Sequence, residues 1–139
     1  MATFEDHLKQ WAHNREFLQS VSLKYPDWIV TATLYTALHA VEALLTADKA
    51  KERSRHQDRF EILQGEKRYE SIYNSYHVLY DLAHVTRYSA NPGRWVKENR
   101  IQPQIIAGML YPIEKSVRKL LSERNPPILM PAHTSIDLT

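Results

Sequence analysis

Two stretches of the sequence place tyrosine, histidine and charged residues at intervals of three and four. They are Tyr35, His39 and Glu42 in the first stretch, and Tyr80, His84, Arg87 and the adjoining Tyr88 in the second. Residues at these intervals share one face of an α-helix. Imidazole exchanges protons near neutral pH, guanidinium binds phosphate, and tyrosine rings stack on bases. The two stretches therefore favour a site for a nucleotide or an RNA phosphate.

An interhelical seam is the alternative interpretation of the same stretches. Aromatic residues at helical spacing commonly pack between helices, where tyrosine and histidine find hydrogen-bond partners. A seam that lacks leucine is costly to bury, because every polar head group must be satisfied. The spacing alone leaves both interpretations open.

A basic connection lies between the two stretches. From Lys49 to Arg68 the chain carries seven lysines and arginines against four acids. Three arginines and a histidine, Arg53, Arg55, Arg59 and His56, fall at the predicted start of a short helix, where free amides and guanidinium groups suit an anion. The alternative is a solvated connection in which Asp58 neutralises a neighbouring arginine.

Several kinds of site are disfavoured or excluded by composition. There is no cysteine, and the three glycines stand apart at 65, 93 and 108, so neither a cysteine zinc site nor a glycine-rich phosphate loop can form. The Glu-x-x-His pairs of di-metal bundles are absent, because His39 and Glu42 occur in the reverse order. We therefore predict no metal and no cofactor.

The periodicity of apolar residues predicts four long helices and one short helix in an all-α, up-and-down bundle. The first helix is predicted to begin near Thr3. The second runs from an Asp27 cap to about Asp48, and the short third runs from near His56 to Gly65. The fourth runs from Lys67 to about Ser89, and the fifth begins at Pro103. Pro112 should disturb the last helix. One domain over 1–125 is predicted, followed by an extended or disordered tail over 126–139.

The predicted second helix is the most apolar part of the chain. Val30, Leu34, Ala37, Val41 and Leu44 share one side of it and are predicted to lie in the core. Because the stretch also contains His39, Glu42 and several threonines, we interpret it as a buried helix and not as a membrane span. With a net charge of +2 and no signal-peptide core, the protein is expected in the cytoplasm.

Three motifs occur in a recognisable order. They are Asp27-Trp28 through Tyr35-Thr-Ala-Leu-His39-Ala-Val-Glu42, then Ser54-Arg55-His56-Gln-Asp-Arg59, and finally Tyr73 through Leu79 to Arg87-Tyr88. Together they resemble the HEPN superfamily, over roughly residues 4 to 121. The resemblance implies an α-helical bundle that is frequently a homodimer.

Many HEPN proteins are ribonucleases of defence or toxin–antitoxin systems, with an arginine followed after four to six residues by a histidine. None of the ten arginines here has a histidine at that spacing. The resemblance thus implies a non-catalytic module that binds a nucleotide or RNA, with a small nucleotidyltransferase as a possible protein partner. A metal-independent ribonuclease with a non-standard site, and a structural dimerisation domain, are the alternatives.

The sharpest expectation is that His39, His56, Arg59 and Arg87 converge on one cleft. Arg59 and Arg87 would bind phosphate, whereas His39, His56 and His84 would donate or exchange protons. In the alternative arrangement Arg87 pairs with Glu42, while His56 and Arg59 point into water.

Overall fold

The computed structural model describes residues 2–22, 24–88 and 105–137, except for the side chain of Tyr88. Its helices are α1 (Phe4–Ser20), α2 (Pro26–Ala47), α3 (His56–Gly65), α4 (Glu70–Tyr88) and α5 (Tyr111–Ser122). No strand occurs within the described ranges. The prediction of an all-α fold is confirmed.

The starts of the first two helices differ in how they are capped. The Thr3 hydroxyl accepts the amide of Asp6 at 3.1 Å, and the Asp6 carboxylate accepts the amide of Thr3 at 2.8 Å. This reciprocal pair is a capping box at the predicted position. For α2 the prediction of Asp27 as the cap is wrong, since the helix already begins at Pro26. Proline suits a first helical position because its φ is fixed near the helical value and it has no amide to satisfy.

Helices α4 and α5 are each preceded by a turn of different geometry. A 3₁₀ turn over Lys67–Tyr69 leads into α4, so the predicted start at Lys67 is helical but not α-helical. A π-helical segment over Ile106–Leu110 leads into α5, with the amide of Tyr111 bonded to the carbonyl of Ile106. It lies just before Pro112, where the sequence predicts a disturbance. The predicted end of the fourth helix at Ser89 and the predicted start of the last helix at Pro103 lie outside the described residues.

Helix α2 lies at the centre of the bundle and contacts α1, α4 and α5. Its predicted core residues Val30, Leu34, Ala37, Val41 and Leu44 are all fully buried. By length and composition Pro26–Ala47 could cross a membrane, but most of it is buried against the other helices. That is compatible with the core helix of a soluble protein.

The chain after α5 carries no helix and lies against α1 and α5. The amide of Ile128 donates to the carbonyl of Leu121 at 3.0 Å, and the amide of Ile136 donates to the Tyr111 hydroxyl at 2.7 Å. The side chain of Ile136 is buried with the core. We call residues 126–137 the C-terminal strap, because they connect back to the first helix.

Candidate functional site

The polar face of α2 is covered on one side by α1. Nδ1 of His7 lies 3.0 Å from Nδ1 of His39, and the two rings have centroids 5.3 Å apart. Burial and, to a smaller extent, the neighbouring His7 lower the pKa of His39 to about 4. Burial also lowers the pKa of His7. Both imidazoles are therefore neutral at neutral pH, with the Nδ1 proton of one donated to the other.

Glu42 lies one turn beyond His39 and is buried. Its Oε2 accepts the Nε–H of Arg53 at 2.5 Å, and its Oε1 accepts from Nη2 of Arg59 at 3.3 Å. Both guanidinium groups are themselves buried. The carboxylate thereby ties the basic connection and α3 to the centre of α2, and these charges are compensated as buried charges must be.

Arg59 continues the contacts from Glu42 toward α4. Its Nη1 lies 3.2 Å from Nδ1 of His56, and the His56 ring lies 4.9 Å from the Tyr80 ring. Burial lowers the pKa of His56, and the positive charges of Arg59 and Arg87 lower it further. His56 therefore presents a neutral Nδ1 acceptor to Arg59.

Arg87, near the end of α4, lies beside the polar face of α2 as well. Its Nη1 donates to the Tyr35 hydroxyl at 3.4 Å. Tyr35 and Glu42 are seven residues apart and share one face of α2, so Arg87 of α4 and Arg59 of α3 contact the same face of that helix. We call the set that surrounds this face the α2 cluster; its members are His7, Tyr35, His39, Glu42, Arg53, His56, Arg59, Tyr80 and Arg87.

Three arginines and one carboxylate are among the members of the α2 cluster. An open cleft of about 500 Å³ adjoins it beside His7, Glu42 and Arg53, and Lys49 and Glu52 also line this cleft. Volumes of roughly 300–1,000 Å³ are typical of small-molecule sites. Tyr35, Tyr80 and Arg87 do not line this cleft. Guanidinium groups and aromatic rings around one face of α2 are the side-chain types that hold phosphate and stack on bases.

Arg59 contacts His56, and Arg87 contacts Tyr35, whereas His39 contacts His7. None of the four residues predicted to converge lines the cleft of about 500 Å³, so their convergence on one cleft stays a prediction. In the alternative arrangement Arg59 points into water, but it is buried and, with Arg53, pairs with Glu42.

Three candidates contribute less to the α2 cluster. Arg55 is largely exposed and pairs with Asp58 at 3.0 Å in the first turn of α3. His84 is exposed and stacks on Tyr80, with ring centroids 6.3 Å apart. The Tyr88 side chain lies outside the described part of the chain, so its predicted role stays a prediction.

The sequence does not predict His7 as a site residue, and it predicts Arg53 only as one of three arginines near the start of the short helix. His7 shares the apolar stripe of α1 with Trp11, which is a signal that it faces the bundle. No comparable signal distinguishes Arg53 from its basic neighbours. Among the described residues, no group of three or more histidine or acidic side chains could hold a metal ion.

Comparisons with known proteins give no independent identification. No protein-family model, no curated protein and no solved structure matches the chain.

Proposed function

We propose that this protein is a HEPN-like module that binds a nucleotide or single-stranded RNA through the α2 cluster. The observation that carries the proposal is that two arginines, Arg53 and Arg59, meet at Glu42 on the face of α2 where a third, Arg87, contacts Tyr35. The ring of Tyr80 lies beside His56 at the same site. Guanidinium groups would hold phosphate and the tyrosines would stack on a base. A role in a defence or toxin–antitoxin system, next to a nucleotidyltransferase, belongs to the same proposal.

Binding is favoured over cleavage by the charge state of the histidines. Acid–base cleavage needs one imidazole that is protonated and another that is neutral near the working pH. Burial lowers the pKa values of His39 and His56 below the ordinary value. Both imidazoles are therefore mainly neutral in the free protein at neutral pH, which disfavours an imidazolium acid at either position. A ribonuclease is the second candidate function.

Fluorescence anisotropy with a labelled single-stranded RNA of mixed sequence tests the proposal. We expect binding that weakens as salt is raised, because phosphate contacts release counterions. Arg87→Gln should weaken binding and reduce the slope of log K against log salt by about 1. Gel analysis of the same RNA should show no cleavage.

Arg68→Gln is the matched control, since Arg68 precedes the opposite end of α4 and pairs with Asp48. It removes the same charge without touching the α2 cluster, and should bind RNA like the unaltered protein. Equal losses in the two variants would contradict a local site. Failure of both RNA and mononucleotides to bind at low salt would contradict the function and favour a structural dimerisation domain. Cleavage that His39→Ala or His56→Ala abolishes would favour the ribonuclease.

A homodimer through α2 or α4 is also part of the proposal. Helix α4 exposes Val78 and Val85, which are seven residues apart and share one face. Light scattering at high concentration should give twice the chain mass. A monomer under those conditions would contradict the dimer but not RNA binding.

A further inference from the structure

A second pocket lies between the C-terminal strap and α5, away from the α2 cluster. Its volume is about 220 Å³. Its lining consists of Tyr111, Glu114, Lys115, Arg118, His133, Thr134 and Ser135. Because sites for whole small molecules run from about 300 Å³ upward, this pocket suits a compact group and not an entire nucleoside.

The charge of this pocket is positive. Its carboxylate, on Glu114, is buried and accepts from Trp11 Nε1 at 2.7 Å and from Arg15 Nη1 at 2.6 Å. Arg15 therefore compensates Glu114. Within the described part of the chain, neither Arg118 nor Lys115 has a carboxylate within ion-pair distance.

Hydrogen-bond donors accompany these two cations. The Tyr111 hydroxyl accepts the amide of Ile136, which leaves its own proton available to a ligand. Arg118 uses Nη1 toward Nδ1 of His133 at 3.3 Å, and the rest of its donor fork makes no hydrogen bond within the described ranges. The hydroxyls of Thr134 and Ser135 belong to residues that line the same pocket.

We propose that this pocket binds a compact tetrahedral oxyanion, a phosphate or sulfate group, through Arg118, Lys115 and the Tyr111 hydroxyl. These three residues belong to α5, and the hydroxyls of Thr134 and Ser135, which line the same pocket, would hold the ligand from the strap. Its binding would therefore fasten the strap to the bundle, in addition to the contact of the Thr134 carbonyl with Arg15.

His133 makes this site sensitive to pH. The charged groups that face it are Arg15 from α1, and Glu114 and Arg118 from α5. Burial lowers the pKa of His133, Glu114 acts in the opposite direction, and the two arginines lower it further. A bound dianion would favour the imidazolium, so binding takes up a proton and becomes tighter as the pH falls.

Sulfate is the first probe, because its charge does not change between about pH 6 and about pH 8, the range in which histidine titrates. Sulfate is titrated into the full chain while the imidazole signals are followed by NMR, with the His133 signal assigned from His133→Gln. We expect a saturable shift of that signal and tighter binding at the lower pH. Arg118→Gln should weaken sulfate binding about tenfold, as expected for a charge-assisted hydrogen bond.

Lys119→Gln is the matched control, because Lys119 is the next residue, is exposed and does not line the pocket. It should leave the affinity within about twofold, since an exposed charge outside a site acts only weakly. Lys115→Gln, on the exposed side, gives a second test if Arg118→Gln unfolds. Inorganic phosphate and AMP, compared at fixed pH, then separate a free oxyanion from one carried by a nucleotide.

The proposal is overturned if the His133 signal does not saturate, or if Arg118→Gln and Lys119→Gln bind sulfate equally. If sulfate shifts only the NMR signals of His39 and His56, the anion binds at the α2 cluster instead, and the proposal is overturned as well.

Discussion

Glu42 is the residue that joins the contacts within the α2 cluster. Its two oxygens hold Arg53 and Arg59, and all three side chains are buried. A neutral side chain at this position would leave two largely buried guanidinium groups without their counter-charge. Removing one partner of a buried ion pair is much more costly than the pair itself is stabilising.

Glu42→Gln should therefore lower the free energy of unfolding by about 3–5 kcal/mol, measured by urea denaturation. The control is Asp81→Asn, which removes a carboxylate from an exposed contact with His77 at 3.2 Å. That change should stay within about 0.5 kcal/mol. Similar losses in both variants would contradict the central position of Glu42.

His39 should make the stability of the protein depend on pH. Its pKa is lowered from 6.5 to about 4 in the folded state, first by burial and then by His7. As the pH falls below 6.5, the unfolded chain takes up the proton first, so the free energy of unfolding decreases until about pH 4. His39→Gln should make the decline shallower in urea denaturation series at several pH values. Part of the decline should remain in this variant, because the pKa values of His7, His56 and His133 are also lowered. An unchanged dependence of the unfolding free energy on pH would contradict a buried, neutral His39.

Helix α2 is the element whose register determines which side chains form the core and which form the α2 cluster. Leu34 and Leu38 are one turn apart, but Leu34 is fully buried and Leu38 only partly. Leu34→Ala, like Val41→Ala, should cost about 1–4 kcal/mol of unfolding free energy. Leu38→Ala should cost less by thermal or urea unfolding. Equal costs would mean that the helix is rotated about its axis.

Helical periodicity gave the core side of α2 correctly, because packing follows the spacing of apolar residues along one element. Local rules also gave the Thr3 cap and the end of α3 at Gly65. They failed at Asp27, because Pro26 and Asp27 are both favourable residues for the start of a helix, and the helix begins at the proline, which comes first. The pairing of Glu42 with Arg53 and Arg59 depends on how the connection folds back, and spacing within one element does not determine contacts between elements.

The C-terminal strap extends the fold beyond the five helices. His133 packs on the ring of Trp11, with centroids 4.7 Å apart, and Ile136 is buried against the core. The strap thereby connects α5 to α1, which are far apart in the sequence. Contacts of this kind contribute to the stability of the whole molecule and not of one helix.

Ile136→Ala should therefore lower the free energy of unfolding by about 1–3 kcal/mol, since Ile136 is only 7% exposed. Leu129→Ala is the control within the same strap, because Leu129 is 78% exposed. It should change stability by less than about 0.5 kcal/mol in the same urea experiment. If the strap does not pack against the helices, both variants should show equally small losses of unfolding free energy.

The π-helical segment before α5 bears on how the chain tolerates insertions and deletions. A π turn accommodates one residue more than an α turn, so deleting Gly108 would leave Ile105 and Ile113 facing the core on either side of a regular helix. The regular turn would, however, bring a carbonyl against the ring of Pro112. Deleting Gly108 alone should therefore lower the free energy of unfolding more than the same deletion does in a Pro112→Ala background. A double-mutant cycle of unfolding free energies measures this coupling. If the losses of unfolding free energy caused by the deletion and by Pro112→Ala simply add, the π turn is not needed to accommodate the proline ring.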